Sequence, residues 1–204
     1  YLRRTGVLIT RGRVLETLTK VNRVIFDKTG TLTEGQLCVA EVKSLAEGVD
    51  REHLLALCAA LEQGSNHPIA RAFSGFETEV TASSIRQVTG GGVSGQVGAA
   101  TYRLGNAAFA GGEDAPKLPS EPYLWLLLTR DGVPQAFIGL ADQVRQEAAG
   151  VVAALAQNGL AVELLSGDTA ANTARLAHEL GIGTYMGAVS PADKLARLQQ
   201  RQAQ

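Results

Sequence analysis

The sequence predicts an α/β fold that is interrupted by a β-rich insertion of roughly a hundred residues. Two features of the chain indicate this arrangement. From residue 141 onward helical and strand-like segments alternate, whereas residues 36–139 contain short strand-like runs divided by glycines and prolines. We therefore predict that residues 1–35 and 140–204 form two parts of one α/β domain, and that residues 36–139 form a second domain.

The elements of the α/β part follow from the spacing of apolar residues. Val14, Leu15 and Leu18 indicate a short helix, and the apolar run 24–26 indicates a strand that is buried on both faces. After the insertion the pattern predicts a helix whose apolar face begins at Val144 and which stops at Asn158. A buried strand over 161–165 and a helix over 169–180 follow. The last predicted elements are a short strand near 185–186 and a helix that begins at Ser190.

The insertion is predicted to begin with helices and to continue as short strands. Asp50 is placed to cap a helix that runs to Leu61, and Pro68 suits the first turn of another helix. The pattern then predicts, in order, strand-like pieces over 85–105, an irregular loop over 111–122, and a hairpin of runs 124–129 and 135–140 with Asp131 and Gly132 in its turn.

The composition limits the classes of function that the chain can have. Nineteen basic and twenty acidic residues give a net charge of -1, so no global charge attracts nucleic acid, and we predict no nucleic-acid partner. No apolar run approaches the roughly 20 residues that cross a bilayer, and we expect the chain as it stands to be soluble. Cys38 and Cys58 lack a second pair that would complete a metal site, which predicts thiols in a reducing compartment.

Residues 27–33 read Asp-Lys-Thr-Gly-Thr-Leu-Thr and carry the clearest chemical signal in the chain. Asp27 directly follows a predicted strand, at the edge where open α/β sheets bind ligands. Gly30 permits a tight turn, and the N–H groups of this turn, together with the threonine hydroxyls, can surround a phosphoryl group. The sequence therefore predicts that Asp27 attacks such a group as a nucleophile.

This heptapeptide resembles the phosphorylation signature of the P-type ATPases, a branch of the haloacid dehalogenase superfamily. The resemblance implies a Rossmann-like phosphorylation domain interrupted by an α+β nucleotide-binding domain with an antiparallel sheet. It also implies that Asp27 is phosphorylated by ATP and that Asp27 and Thr29 hold Mg²⁺. Phosphatases of the superfamily usually have a second aspartate at the position of Thr29. Because threonine cannot shuttle a proton at neutral pH, we expect the aspartyl phosphate to persist.

Two further motifs follow in the order that the resemblance requires. Ser166-Gly167-Asp168 resembles the family's Thr-Gly-Asp, which implies that Ser166 bonds a phosphoryl oxygen and that Asp168 orients Lys194 or the surroundings of the metal. Residues 191–194 resemble the family segment whose lysine balances negative charge during transfer, and this role falls to Lys194.

The insertion resembles the nucleotide-binding domain of the heavy-metal branch of the P-type ATPases. Residues 65–68, Ser-Asn-His-Pro, are similar to the branch's Ser-Glu-His-Pro, and residues 90–93, Gly-Gly-Gly-Val, are similar to its Gly-x-Gly-Val. An adenine slot needs a backbone wall without side chains, an imidazole and a polar acceptor. The resemblance implies that ATP is bound by Glu62, His67, Gly90, Gly92 and Gly105.

The resemblance also implies partners that lie outside these 204 residues. A complete pump has transmembrane helices that bind the transported cation, an actuator domain, and a Gly-Asp-Gly-x-Asn-Asp segment whose aspartate helps to hold Mg²⁺. We therefore expect a C-terminally truncated and weakly active or inactive part of a pump, at the cytoplasmic face of the cell membrane. Copper is the expected cation, because it is the branch's commonest substrate and residues 6–18 loosely resemble copper pumps.

Two alternative functions stay open, and one structural expectation accompanies them. The chain could be a phosphatase of the same superfamily, which Thr29 disfavours, or an ATP-binding module without turnover. The resemblance places the Asp27 strand between the strand that ends at Ser166 and a strand beyond residue 204. We therefore expect the Asp27 strand to lie at an unpaired edge of the sheet.

Overall fold

The computed structural model describes residues 19–76 and 79–202, with the side chain of residue 202 left out. The helix expected around Val14 and Leu18, and the residues 6–18 that resemble copper pumps, lie outside this part of the chain. The strands are β1 (Arg23–Asp27), β2 (Thr33–Ser44), β3 (Ser83–Val88), β4 (Gly92–Val97), β5 (Ala100–Gly105), β6 (Leu124–Arg130), β7 (Val133–Val144), β8 (Ala161–Leu165) and β9 (Thr184–Met186). The α-helices are α1 (Arg51–Leu61), α2 (Pro68–Arg71), α3 (Ala107–Gly111), α4 (Ala148–Gln157), α5 (Ala170–Leu180) and α6 (Pro191–Gln202).

The chain divides into two compact units. Of the described residues, 19–32 and 145–202 form one unit, which we call the parallel-sheet unit, and 33–76 and 79–144 form the other, the antiparallel-sheet unit. The domain limits predicted from the sequence, at 35/36 and 139/140, stay a prediction. The mixed α/β architecture with a separate antiparallel sheet confirms the predicted fold class.

The parallel-sheet unit has a three-stranded sheet in the order β1-β8-β9. Both pairs of strands are parallel, and Asp27 of β1 lies opposite Leu165 of β8. Among the described strands β1 is therefore at an edge, as expected. The run 24–26 is half-buried, so the expectation of a strand buried on both faces was wrong, because an edge strand has a neighbour on one side only.

The helices of this unit begin and end at residues that satisfy their terminal backbone groups. The Thr169 hydroxyl accepts a hydrogen bond from Asn172 N–H at the start of α5, and Gly181 ends α5 in the left-handed conformation. At the start of α6 the Ser190 hydroxyl accepts a hydrogen bond from Asp193 N–H. These helix starts confirm the sequence prediction.

One predicted helix boundary was wrong. Val144 belongs to β7, where it lies opposite Thr33, and α4 begins only at Ala148. Arg145 N–H donates to the Leu32 carbonyl, so the ladder between the two chain segments continues for one more residue before the helix starts. This pairing between residues distant in sequence overrides the helical spacing of the apolar residues.

The antiparallel-sheet unit has a six-stranded sheet in the order β2-β7-β6-β5-β4-β3. Helix α1 packs on one face of the sheet, where Leu54, Leu61, Leu128 and Ile138 belong to one continuous core. On the opposite side a smaller cluster surrounds Trp125. The large buried core explains why this unit can hold its strands in register.

Several predictions for this unit were confirmed and some details were wrong. Asp131 and Gly132 turn the β6–β7 hairpin with φ angles of 49° and 83°, the sign that a two-residue hairpin turn favours. Asp50 precedes α1 as predicted, but its side chain makes no capping hydrogen bond. The predicted irregular loop over 111–122 starts with the end of α3 and a short 3-10 turn over Gly112–Asp114.

In the part of the chain that the structure describes, no helix is both long and apolar enough to cross a membrane.

Candidate functional site

Asp27 ends β1 at the carboxyl edge of the parallel sheet, and its side chain is 47% exposed. The chain then turns through Lys28–Leu32, and Gly30 adopts a φ angle of 73° in this turn. A Cβ at Gly30 would have no heavy atom within 4 Å, so the glycine serves the backbone conformation rather than a tight contact. The turn leaves Thr29 exposed beside the aspartate.

Lys194 lies in the first turn of α6 and reaches back to Asp27. Its ammonium Nζ forms an ion pair with Asp27 Oδ1 across 167 residues of sequence. The Lys194 side chain is 28% exposed, so the pair is partly shielded from water. The structure thus brings together the two residues that the sequence predicted as nucleophile and charge-balancing group.

Ser166 directly follows β8, the strand next to β1. The serine is buried, and its Oγ accepts a hydrogen bond of 3.1 Å from the N–H of Asp168. Because this bond uses an oxygen lone pair, the hydroxyl hydrogen of Ser166 remains able to donate to a ligand. Parallel strands end at the same edge of a sheet, so Ser166 belongs to the same edge as Asp27.

Asp168 forms an ion pair with Lys28. Its Oδ2 contacts Lys28 Nζ, and its Oδ1 accepts hydrogen bonds from Thr169 N–H and from the Asn172 side chain. Partial burial raises the pKa of the Asp168 carboxyl, but these donors, with Lys28 the strongest, hold that pKa below its ordinary value. The role of Asp168 in orienting Lys194 or the surroundings of the metal stays a prediction, and the lysine that its carboxylate contacts is Lys28 of the turn.

Lys28 is a residue of this site to which the sequence analysis gave no role. It stands directly after Asp27, and its side chain is only 13% exposed. A lysine inside a turn that is expected to surround phosphate was a signal that could have indicated it. The structure shows that Lys28 joins the turn after β1 to the segment after β8.

A cavity of about 360 Å³ lies in the antiparallel-sheet unit. All five residues predicted to bind nucleotide, Glu62, His67, Gly90, Gly92 and Gly105, line this one cavity. Its other walls include Ser65, Ile69, Val88, Thr89, Asn106, Leu124 and Trp125. A concave apolar site with a few polar groups is typical of small-molecule binding.

Glu62 and His67 supply the polar end of this cavity. Burial raises the pKa of the Glu62 carboxyl above its ordinary value, although the hydrogen bond with Ser65 and the nearby His67 act in the opposite direction. The Nδ1 atom of His67 accepts a hydrogen bond of 3.2 Å from Ile69 N–H at the start of α2. This bond assigns the hydrogen of a neutral His67 to Nε2, which makes that atom the donor of the ring.

Gly92 and Gly105 lie opposite each other on β4 and β5 and approach very closely. A Cβ at Gly92 would lie 2.2 Å from the Leu104 carbonyl oxygen, and a Cβ at Gly105 would lie 2.3 Å from the Gly91 carbonyl oxygen. These distances are shorter than any Cβ atom tolerates, so the pairing of β4 with β5 requires glycine at both positions. Glycine at these two positions therefore has two explanations: the predicted wall without side chains for a ligand, and the close approach of the two paired strands.

Asn106 forms hydrogen bonds with the glycine segment 90–92. The sequence analysis gave it no structural role. Its side-chain amide donates to the Gly90 carbonyl at 2.7 Å, and its Oδ1 accepts from Phe109 N–H at the start of α3. Its own N–H donates to the Gly91 carbonyl. The signal was available, because asparagine is a preferred residue before a helix and Asn106 directly follows Gly105.

The parallel sheet, with an aspartate beside a lysine at its carboxyl edge, defines the class of this protein as a hydrolase of the haloacid dehalogenase type. The family model of the haloacid dehalogenase-like hydrolases matches residues 21–204, and the chain belongs to this family.

Relatives and solved structures narrow the similarity to cation-transporting P-type ATPases. The probable copper-transporting ATPase SynA of Synechococcus elongatus is 40% identical over 98% of this chain, and the nitrogen fixation protein FixI of Rhizobium leguminosarum is 34% identical over 97%. The chain spans 26% of the length of each of these relatives.

Among solved structures, a zinc-transporting PIB-type ATPase in the E2.Pi state is 31% identical with a TM-score of 0.81. The matched region covers 98% of this chain and 35% of the zinc-transporting chain. The catalytic domain of the CPx-ATPase CopB-B is 25% identical with a TM-score of 0.65. The matched region covers 99% of this chain and 75% of the CopB-B chain.

Proposed function

We propose that this chain is the ATP-binding and autophosphorylating catalytic part of a P-type ATPase that exports a heavy-metal cation, with copper as the cation. The observation that carries the proposal is the ion pair between Asp27 and Lys194 at the carboxyl edge of the sheet. An exposed carboxylate with an ammonium group on one oxygen suits a nucleophile whose product gains negative charge. The similarity to copper-transporting ATPases supports the choice of cation.

In the proposed reaction ATP binds in the cavity of the antiparallel-sheet unit with its base near Glu62 and His67. The His67 Nε2–H is available as a donor, and the Glu62 carboxylate can accept from the exocyclic amine of adenine. A carboxylate oxygen of Asp27 attacks the γ-phosphorus, and the bond from this phosphorus to the bridging oxygen breaks. ADP leaves with the electron pair, and Asp27 becomes an acyl phosphate.

The other residues of the parallel-sheet unit act on the charge of the phosphoryl group. Lys194 balances the charge that its oxygens carry, and the Ser166 hydroxyl donates a hydrogen bond to one of them. Asp168 holds Lys28, and thereby the turn that carries Thr29, in place. Because Thr29 cannot act as a general base, water attacks the acyl phosphate slowly, which a pump requires and a phosphatase does not.

The residues around Asp27 fit Mg²⁺, which supplies charge neutralisation for the phosphate oxygens when it is bound. Mg²⁺ binds through one or two carboxylates with further oxygen ligands and waters. Asp27 and Thr29 would hold the ion, because both residues are exposed, at the end of β1 and in the turn that follows it. Within residues 19–76 and 79–202 there is no group of three or more His, Cys, Asp or Glu residues that could hold a metal ion.

The proposal includes partners outside this chain. We propose that the transported cation binds to transmembrane helices of the parent pump, that an actuator domain hydrolyses the aspartyl phosphate, and that the chain lies at the cytoplasmic face of the cell membrane. The full-length similarity of this chain to parts of larger cation-transporting ATPases supports this arrangement.

Incubation with γ-³²P-labelled ATP and Mg²⁺ tests the proposal. We expect a protein label that is stable in acid and labile to hydroxylamine, and Asp27→Asn should abolish it without changing the quenching of Trp125 fluorescence by ADP. Thr29→Asp should shorten the lifetime of the label about 100-fold, because it restores a general acid–base group. Nucleotide binding without any label would leave only an ATP-binding module. Release of phosphate without a detectable lifetime of the label would indicate a phosphatase.

A further inference from the structure

Glu163 is a buried carboxylate to which the proposed reaction gives no role. It lies in the middle of β8, and its side chain is 1% exposed. Three arginines surround it: Arg23 contacts its Oε1, Arg201 Nη2 lies 2.8 Å from the same oxygen, and Arg197 Nε lies 3.8 Å from Oε2. A buried charge is costly unless it is paired, so this cluster of one carboxylate and three guanidinium groups requires a reason.

We call Asp27, Ser166 and Lys194 the phosphoryl-acceptor site. Glu163 and its partners lie on the three elements that position these residues. Arg23 begins β1, which ends at Asp27. Glu163 lies on β8, which leads directly to Ser166. Arg197 and Arg201 lie on α6, which carries Lys194 in its first turn. One carboxylate therefore connects the two strands and the helix whose ends carry the nucleophile, the hydroxyl donor and the ammonium group.

The sequence of α6 directs this face of the helix toward the sheet. Lys194, Arg197 and Arg201 are spaced by three and four residues, so they share one side of the helix. Leu195 and Leu198 are 57% and 40% exposed, which leaves α6 without an apolar anchor from these two leucines. The ion pairs with Glu163 thus attach α6 to β8, one and two turns beyond Lys194; Arg201 lies within hydrogen-bond distance of the carboxylate, and Arg197 makes a longer contact.

We propose that Glu163 is a positioning residue for the phosphoryl-acceptor site, which holds Lys194 on Asp27 through Arg197 and Arg201. This inference rests on the proposed function for its catalytic meaning, but the geometry on which it acts is independent of ATP. Without the Glu163 carboxylate the three guanidinium groups repel one another. Helix α6 then loses a contact with β8 that fixes the position of Lys194 relative to Asp27.

The first test measures the Lys194 ammonium group directly in the full chain by ¹⁵N NMR. Exchange of its hydrogens with water should be about tenfold faster in Glu163→Gln than in the unsubstituted chain, and close to the rate in Asp27→Asn, which removes the carboxylate partner. Glu163→Asp should restore much of the protection, since it keeps the charge. The matched control is Glu179→Gln, which removes an exposed i,i+4 partner of Arg175 on α5 and should leave Lys194 unchanged.

A second variant keeps the inference testable if Glu163→Gln does not fold. Arg197→Met with Arg201→Met leaves Glu163 paired with Arg23 and should produce the same faster exchange at Lys194, with the ¹³Cα shifts of 191–202 still helical. Unchanged exchange at Lys194 in a folded variant of either kind would overturn the inference. So would loss of the α6 shifts together with failure of Glu163→Asp to restore them, because that result assigns Glu163 to the stability of the fold alone.

Labelling with ATP separates this inference from the proposed function. In Glu163→Gln the maximal rate of acyl phosphate formation should fall about tenfold, while the ATP concentration for half-maximal labelling stays unchanged. If the unsubstituted chain is never labelled but Lys194 exchange responds as described, the positioning role stands and the proposed function fails. If labelling and Lys194 exchange are both unaffected by Glu163→Gln, the positioning role fails and the proposed function stands.

Discussion

The two units of the chain bury different kinds of side chain. The large, fully buried side chains of the antiparallel-sheet unit are Phe73 and aliphatic residues such as Leu54 and Leu127. In the described part of the parallel-sheet unit the corresponding group includes the charged Glu163 beside Leu164. Apolar packing therefore stabilises both units, and the parallel-sheet unit adds a buried carboxylate that is paired with arginines.

This difference matches the kind of site that each unit carries. A cavity for a small molecule needs rigid walls, and the close approach of Gly92 to Gly105 between two paired strands supplies one. A phosphoryl-acceptor site needs charges that are set at fixed positions, and Lys28, Lys194 and Glu163 are all held by ion pairs. Substitutions should accordingly affect the two units separately and to different extents.

Gly92→Ala should give the largest loss of stability, and should give it in the antiparallel-sheet unit. The added Cβ would lie 2.2 Å from the Leu104 carbonyl oxygen, so the backbones of β4 and β5 must separate. We expect a loss of about 3 kcal/mol in the free energy of unfolding of this unit, with weaker ADP binding. The fluorescence of Trp125, the only tryptophan of the chain, reports this unit in a urea titration.

Gly75→Ala is the matched control for this substitution. Gly75 lies in the same unit, and a Cβ there has no heavy atom within 4 Å, so we expect a change below about 0.5 kcal/mol. Equal urea midpoints for Gly92→Ala and the unsubstituted chain would show that β4 and β5 do not depend on the glycine contact. A simultaneous loss of structure around Leu164 would show that the two units do not unfold separately.

Local sequence patterns predicted the strands and helices that carry the candidate residues of the parallel-sheet unit. Asp27 ends a strand, Ser166 follows one and Lys194 lies in the first turn of a helix. The patterns that define those elements extend over a few neighbouring residues only. The structure places Asp27 and Lys194 in contact, which agrees with the resemblance on which their roles were predicted. The five residues predicted to bind nucleotide line one cavity, and their binding of nucleotide stays a prediction.

Contacts between distant residues were beyond the reach of the sequence. Nothing in a local pattern indicates that Glu163 meets Arg201, or that Asp168 pairs with Lys28 rather than Lys194. The same reason explains the error at Val144, where pairing with Thr33 replaces the predicted helix. Such contacts depend on strand order and helix placement, which the periodicity of a single sequence does not determine.

The pairing of Lys28 with Asp168 makes the stability of the parallel-sheet unit depend on pH. The pKa of the Asp168 carboxyl lies below its unfolded value of about 3.9. Its stabilising contribution is therefore complete above that unfolded value, and it is lost as the pH falls through the lower pKa of the folded chain. Because the carboxylate is 27% exposed and the pair is screened by solvent, we expect Asp168→Asn to cost no more than about 1 kcal/mol at neutral pH.

Urea titrations followed by the methyl NMR signals of Leu164 measure this dependence. The difference between Asp168→Asn and the unsubstituted chain should be largest at neutral pH and should shrink below about pH 4, as the aspartate becomes protonated. In a Lys28→Met background the same substitution should have a smaller effect at neutral pH. A difference that stays constant down to acid pH would mean that Asp168 acts through its shape and not through its charge.

Gly150→Ala should give the smallest effect and should stabilise the parallel-sheet unit. Gly150 lies in the first turn of α4, has ordinary negative φ, and a Cβ there meets no heavy atom within 4 Å, so alanine gains helix propensity of about 0.5 kcal/mol without a contact. Gly159, just beyond the same helix, is equally open but has a φ of 77°, so Gly159→Ala should instead cost about 1 kcal/mol. The Leu164 methyl signals should report both changes, in opposite directions, while the Trp125 urea midpoint stays the same. If Gly150→Ala raises the Trp125 midpoint as well, the two units unfold as one, and the difference in buried charge between them does not extend to their stability.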